Sequence, residues 1–189
     1  MTDELLLDSL QRRMRTMHSL YYQAVESMDL EHVNHFEREG VLPIAFSLFH
    51  YTNMEDASFM MITGIAPVWN DDWQAKVQMS VNDHGKHRTV DEMVFQRIGD
   101  YEAFKAYQRA VFDRTEDYLS TIDPADFTRV LIERPFPEMV ASTYSARCAG
   151  EPGITVLDGF ECWLYQHGLR HMGEIELARG LVGLGGMTS

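Results

Sequence analysis

Four segments of this chain repeat apolar residues at helical spacing, and this pattern restricts the fold more than any other feature. The segments cover about residues 3–28, 41–63, 90–121 and 156–183. In the first, Leu10, Met14, Met17 and Tyr21 recur every three or four positions, so they share one helix face. Long helices with an apolar stripe bury that stripe against one another. We therefore predict an all-α protein, an antiparallel four-helix bundle.

Two connections, residues 64–88 and 123–154, are longer than most loops between packed helices. Gly64 and Pro67 end the second segment, and Asp123-Pro124 ends the third. Long ordered connections often cover functional sites, and short strands at residues 76–81 and 127–133 are candidates within them. We expect one domain over residues 1–189 with two long inter-helix connections.

The charge balance excludes several classes of partner. The chain has 16 basic and 29 acidic residues, which gives a net charge of −13. This charge repels phosphate backbones and anionic lipid, so we exclude nucleic acids and membrane surfaces as main partners. The sequence has neither a secretory signal pattern nor a run of about 18 uncharged apolar residues. We expect a cytoplasmic protein that acts on a small molecule.

The run from His167 to Glu174 reads His-Gly-Leu-Arg-His-Met-Gly-Glu and contains a pair of histidines four residues apart. In a helix, His167 and His171 lie about 40° and about 6 Å apart, which suits two imidazoles that bind one metal ion. His50 also falls on an apolar stripe. Three unpartnered imidazoles in a core would cost several kcal/mol, so we predict that all three bind one divalent metal.

Three imidazoles accept zinc, nickel, iron or copper, and we expect zinc or nickel, with iron as a further candidate. The alternative is that each histidine bonds a neighbouring carboxylate or backbone carbonyl. The remaining histidines are expected to lie outside the stripes, with His84-Gly-Lys-His87 in a solvated turn; they are His18, His32, His35, His84 and His87.

Two further residues are candidates around the metal. Asn53 lies one turn beyond His50, and Glu174 lies three residues beyond His171 on nearly the same face. Metal-bound histidines usually donate their other N–H to a carboxylate or a carbonyl, which suits Glu174; this residue is also the candidate general base. The alternative for Glu174 is a surface ion pair with Arg170.

The cysteines and several aromatic residues give weaker signals. Cys162 stands five residues before His167, about 140° around an ideal helix, and we expect it and Cys148 to be reduced structural thiols. Trp69 and Trp73 are candidates for a dimer contact, and we expect a homodimer. The candidates for the mouth of a substrate pocket are Tyr21, Tyr51, Trp69, Trp73 and Phe136.

The residues around His50, Leu-Phe-His-Tyr-Thr-Asn-Met-Glu-Asp, together with His167-x-x-x-His171-x-Gly-Glu174, resemble the DinB-like (YfiT-type) metalloenzymes. The resemblance spans nearly the whole chain. It implies a four-helix bundle in which a second-helix histidine and a fourth-helix pair bind a divalent metal such as nickel or zinc. The chain departs from a common family pattern directly after His171, where Met172 and Gly173 replace a second histidine and an arginine.

The resemblance also implies a class of chemistry. Relatives of known activity include thiol-dependent isomerases and S-transferases, some of which use mycothiol, bacillithiol or glutathione. We therefore expect a metal-dependent enzyme that uses a low-molecular-weight thiol, or a metal-dependent hydrolase. The alternative is a non-enzymatic metal-binding protein with a role in stress response or interaction. Solvent access discriminates between them, because a catalytic metal keeps an open position and a structural one is closed.

Overall fold

The computed structural model describes residues 2–187, and most of these residues are helical. The long helices are α1 (Thr2–Glu26), α2 (Ile44–Thr63), α3 (Tyr101–Thr121) and α4 (residues 156–181). Helix α4 consists of a turn at Val156–Asp158, a π-helical stretch at Gly159–Tyr165 and an α-helix at Gln166–Leu181. The prediction of a helical protein is confirmed. The predicted domain also includes residues 1, 188 and 189, which lie outside the described part.

Shorter elements occupy the connections. They are the helices Leu30–Val33, Asp71–Val77, Val90–Met93, Glu138–Ala141 and Tyr144–Cys148 and the 3₁₀ turn Pro124–Thr128. Strands β1 (Val130–Glu133) and β2 (Gly153–Thr155) pair antiparallel, with Ile132 opposite Ile154. The candidate strand at residues 127–133 overlaps β1. The candidate at 76–81 is wrong, because its first residues belong to a helix.

The third long helix is shorter than predicted and begins at Tyr101 rather than near residue 90. Thr89 forms the expected capping box, but the helix that it begins ends after one turn. Gln96 is fully buried, and its side-chain amide bonds both the N–H and the carbonyl of Val81 at 2.9 Å. This bond holds the backbone outside helical geometry. Asp100 then caps α3 as a new helix.

Helices α1 and α3 run antiparallel. Near the start of α1, the amide of Gln11 donates to the carbonyl of Leu119 at 2.7 Å, and Leu119 is near the end of α3. At the other end, the hydroxyl of Tyr101 donates to the carbonyl of Val25 at 2.9 Å. These two contacts place the beginning of each helix beside the end of the other.

Helices α2 and α3 run parallel, which differs from the predicted antiparallel arrangement. The amide of Asn53 donates to the hydroxyl of Tyr107 at 3.1 Å, and further along both helices in the same direction the rings of Phe59 and Tyr118 lie 5.3 Å apart. A parallel pair needs a connection that returns along the helices. This requirement accounts for the length of the segment between α2 and α3, residues 64–100.

Helix α4 lies antiparallel to α2 and parallel to α1. Ser47, near the start of α2, donates to the carboxylate of Glu174 at 3.0 Å, and Glu174 lies in the second half of α4. Arg13, in the first half of α1, forms an ion pair with Glu161 early in α4. Each long helix thus contacts at least two others, and α2 contacts α1 as well as α3 and α4.

Helix α2 is buried on nearly all sides. Fourteen of its 20 residues are buried, and they include polar as well as apolar side chains. The sequence spacing predicts one stripe on this helix, formed by Phe46, His50, Asn53, Ala57 and Met61. This prediction is only partly right: His50 and Asn53 are buried, but Met61 is 57% exposed. No helix within residues 2–187 combines the length and apolarity needed to span a bilayer.

The buried side chain of Asp56 anchors the connection that follows α2. Its carboxylate accepts the backbone N–H groups of Val68 and Trp69 at 2.9 and 2.7 Å. The same carboxylate pairs with Arg114 of α3 at 2.7 Å and accepts the hydroxyl of Tyr107 at 3.2 Å. Because all of these groups would be costly to bury alone, one carboxylate fixes two helices and a loop together.

His18 lies in the core, so the expectation that it lies outside the helix stripes is wrong. It is fully buried, and its ring stacks on Phe112 with centroids 4.0 Å apart. Its two ring nitrogens face Glu116 at 2.7 Å and Glu55 at 3.2 Å. Burial acts to lower the pKa of His18, but the two carboxylates outweigh it and raise this pKa to about 9. His18 is therefore an imidazolium at neutral pH.

The two tryptophans of the connection pack within their own chain. The ring of Trp69 lies 5.0 Å from Phe49 and 4.7 Å from Tyr107, and the ring of Trp73 lies 5.8 Å from Tyr107. Both are partly buried against the core. Because both tryptophans already have partners within the chain, they no longer indicate a dimer contact. The homodimer stays a prediction.

Two glycines of α4 offer a matched test of the packing. A methyl group on Gly168 would lie 2.7 Å from Cζ of buried Tyr51, whereas one on Gly173 meets nothing within 4 Å. We expect Gly168→Ala to lower the free energy of unfolding by about 1–3 kcal/mol through overpacking. Gly173→Ala should raise it by about 0.5–1 kcal/mol. Urea denaturation measures both, and equal effects would contradict the packing described for α4.

The buried His18 cluster predicts a pH dependence of stability. A histidine whose pKa rises from 6.5 to about 9 on folding contributes stability that is complete below pH 6.5 and is lost as pH rises through 9. Glu116→Gln removes one of the two charges, so this loss should shrink by an amount on the order of 1–2 kcal/mol. Urea denaturation from pH 6 to pH 10 measures it.

Asp117→Asn is the control for that experiment, because it removes the same charge from the exposed face of the same helix. Its stability curve should keep the wild-type pH dependence. Identical pH dependence in wild type and Glu116→Gln would show that His18 does not titrate with the folding equilibrium.

Candidate metal centre

The structure brings His50, His167 and His171 together from two helices. One ring nitrogen from each lies within 4.8 Å of those from the other two. The Nε2 atoms of His167 and His171 are 2.9 Å apart, as expected for residues one turn apart on α4. Nitrogens bound at about 2.0–2.1 Å to a tetrahedral zinc lie about 3.3 Å from each other, so the three imidazoles can hold one divalent ion.

A hydrogen bond orients the ring of His50 through the nitrogen that does not face the other two histidines. Its Nδ1 donates to the backbone carbonyl of His84, and its ring stacks on Phe46 at 5.1 Å. Because the proton sits on Nδ1, Nε2 is left with a free lone pair. The turn at residues 84–87, expected to be merely solvated, thus supplies the group that orients His50.

Glu174 orients His171 in the same manner. Its carboxylate lies 2.7 Å from Nδ1 of His171 and accepts the hydroxyl of Ser47 at 3.0 Å. The hydrogen bond with His171 lowers the pKa of Glu174. Among residues 4–187, Glu174 forms no ion pair with Arg170, so the surface pairing considered from the sequence is not formed. A carboxylate behind a ligating imidazole raises its basicity and fixes its orientation.

Asn53 occupies a different place from the one predicted. Its amide donates to the hydroxyl of Tyr107 on α3, and the structure records no hydrogen bond from it to the three histidines. A position one turn from His50 on α2 therefore points toward α3 instead of α4. The reason is that α2 is buried on nearly all sides, so successive faces meet different neighbours.

Burial keeps two of the three imidazoles neutral. Desolvation, with the nearby His171 as a further cause, lowers the pKa of His50 to about 4 and that of His167 to about 3. A hydrogen bond to the backbone of Trp163 opposes the shift in His167. Both residues are uncharged at neutral pH, which is the form of histidine that binds a metal.

The π-helical stretch sets which residues of α4 face the site. In Gly159–Tyr165 the backbone bonds span five residues, and the N–H of Gln166 accordingly donates to the carbonyl of Glu161. Residues five apart then come close to one face, so Cys162 and His167 line the same cavity. This corrects the expected separation of about 140°, which assumed an ideal α-helix.

A cavity of about 270 Å³ opens beside His50 and His167. Its apolar wall comes from Met54, Met61 and Trp163. Hydroxyl groups line another part of it, contributed by Ser58, Thr143, Tyr144 and Ser145. The two imidazoles therefore face a space large enough for a small molecule as well as water.

The aromatic residues expected at the pocket mouth do not line this cavity. Tyr21 and Tyr51 are core residues, and Phe136 stacks under the guanidinium of Arg134. The cavity takes its aromatic residues from elsewhere, Tyr144 and Trp163. Trp163 lies four residues before His167, a spacing that identifies it from the sequence. Tyr144 belongs to the long connection, and no local pattern points to it.

Cys162 lines the cavity as a protonated thiol. Burial raises its pKa to about 12, so the thiol keeps its proton at neutral pH. Cys148 and Cys162 are both free cysteines, as the sequence led us to expect.

Comparison with known proteins identifies the superfamily to which this chain belongs. The family model of the DinB superfamily matches residues 13–175, so the chain belongs to the DinB superfamily. A conserved protein from Enterococcus faecalis has a similar structure, with a TM-score of 0.73, 15% identity, and coverage of 93% of this chain and 96% of the other. At this identity the likeness concerns the fold. No curated protein matches this chain.

The geometry predicts one bound ion per chain. After zinc or nickel loading and desalting, elemental analysis should find about one equivalent in wild type and far less in His171→Ala. Glu174→Gln should weaken metal affinity by about 10–100-fold, because it removes the charge behind His171. Glu176→Gln is the matched control, since that carboxylate bonds the N–H of Met187 instead. Equal metal content in a variant lacking all three imidazoles would contradict the site.

Proposed function

We propose that this protein is a divalent-metal-dependent enzyme that acts on a small molecule, with a thiol-dependent S-transfer or isomerisation as its reaction. In this proposal the four long helices form a DinB-type four-helix bundle, and zinc or nickel is the metal. Membership of the DinB superfamily supports metal binding by His50, His167 and His171.

The observation that carries the proposal is the cavity beside His50 and His167. A structural metal site is closed by protein ligands, whereas a catalytic one keeps a position open toward substrate. Here the protein offers three ligands, and two of them face open space. This arrangement favours an enzyme over the non-enzymatic alternative.

The residues of this chain have distinct parts in the proposed reaction. Glu174 and the carbonyl of His84 orient His171 and His50, so that their free nitrogens point into the cluster. Met54 and Trp163 give the cavity an apolar wall, which strengthens electrostatic interactions next to it. A divalent ion bound here supplies a Lewis acid that lowers the pKa of a sulfur or oxygen donor.

A spectroscopic experiment tests whether thiols reach the site. Cobalt-loaded protein titrated with 2-mercaptoethanol near pH 7 should develop a sulfur-to-metal charge-transfer band, because coordination deprotonates a thiol whose free pKa is about 8.5. His50→Ala should lose the band. His35→Ala should retain it, since His35 is an exposed histidine that faces Glu37.

A rate measurement then separates the reaction classes. With wild type and a chromogenic aryl halide, the thiol sulfur should replace the halide in a metal-dependent manner. Absence of the band together with metal-dependent hydrolysis of small esters would replace S-transfer with hydrolysis. Absence of both would favour the non-enzymatic alternative.

A further inference from the structure

Two cations line the cavity without an acidic partner. Lys86 comes from the turn that holds His50, and Arg170 comes from α4 between His167 and His171. Within residues 4–187, neither side chain forms an ion pair or a hydrogen bond. The chain has 29 acidic residues against 16 basic ones, so partners for two cations are abundant elsewhere on its surface. Both residues are exposed, so their positive charges are available to the cavity as well as to solvent.

Apart from the imidazoles of His50 and His167 and the thiol of Cys162, the rest of the polar lining consists of hydroxyl groups, and no carboxylate lines the cavity. Ser58 is only 4% exposed, and its hydroxyl makes no hydrogen bond within the described chain. The hydroxyls of Thr143 and Ser145 lie 3.0 Å apart and bond each other. Because Ser58 lines the cavity, its hydroxyl can bond water or a ligand there.

The size and the apolar wall restrict the rest of the ligand. A volume of about 270 Å³ lies at the lower limit of ligand pockets, which are about 300–1,000 Å³. Met54, Met61 and Trp163 suit a short apolar chain. The cavity therefore matches a small molecule with one charged end and one apolar part.

We propose that the cavity binds a small organic acid, whose carboxylate is received by Lys86 and Arg170 while its other end lies beside His50 and His167. Arginine offers a planar pair of donors that matches a carboxylate, and lysine adds a second positive charge. The inference rests on the proposed function, because the end beside the histidines is the one that reacts at the metal. It assigns the two cations as the residues that select the substrate.

Two matched probes isolate the contribution of the carboxylate. 3-Mercaptopropionate and 3-mercapto-1-propanol share the same thiol and carbon chain, and they differ only in the acid group. Binding is followed through the methyl resonances of Met54 and Met61 in protein labelled with ¹³C at the methionine methyls. Titrations use the zinc-loaded and the metal-free protein at the same pH. This readout is local to the cavity and needs no turnover.

Wild type should bind the acid about tenfold more tightly than the alcohol, in both forms of the protein. Lys86→Gln and Arg170→Gln should each lower this preference severalfold, and the double variant should abolish it while the affinity for the alcohol stays unchanged. Arg147→Gln is the matched control: Arg147 is an exposed arginine of the adjacent helix Tyr144–Cys148 and does not line the cavity. Raising salt from 50 to 500 mM should weaken binding of the acid only.

Equal affinity for acid and alcohol in wild type, or a preference that survives in the double variant, would overturn the inference. The two proposals fail in different ways. If zinc tightens the binding of both thiols but the acid has no advantage, the metal function stands and the assignment of the cations is wrong. If the acid preference is present and zinc changes neither affinity, the anion site stands and the metal function is wrong.

Discussion

The organisation of this protein depends on the burial of polar side chains in α2. An unpaired buried polar group costs several kcal/mol, and this helix is buried on nearly all sides. Three of its polar residues take partners from three different parts of the chain: His50 from the carbonyl of His84, Glu55 from His18 of α1, and Asp56 from Arg114 of α3. The positions of α1, α3 and the long connection follow from these pairings as much as from apolar contact.

The sequence predicts those parts of the fold in which one face is buried and the other is solvated. Leu10, Met14 and Tyr21 of α1 are all fully buried, as their spacing indicated. The same reasoning fails on α2, because burial on all sides removes the contrast that a stripe requires. It also fails at the start of α3, where the bond between Gln96 and Val81 is distant in sequence and overrides local helix propensity.

In the site, too, local spacing predicts some residues and misses others. His50, His167 and His171 were identified because imidazoles on apolar stripes need partners, and Glu174 because it lies three residues beyond His171. The rest of the cavity lies beyond local spacing: the long connection supplies Thr143, Tyr144 and Ser145, and the π-helical stretch moves Cys162 onto the face of His167. Contacts between segments distant in sequence determine the positions of these residues. For Cys162, the period of an ideal helix predicts the wrong face.

The charged residues that line the cavity are positive, although the molecule as a whole is negative. A net charge of −13 repels anions at long range, but at physiological ionic strength charges are screened beyond about 8 Å. In the proposed function, Lys86 and Arg170 attract a bound anion at short range, next to the apolar wall of Met54 and Trp163. The remaining repulsion at that ionic strength is weak and acts on every anion alike, whereas retention depends on reaching both cations. In the proposed function, selectivity for an acid therefore arises from the dissociation rate rather than from electrostatic steering.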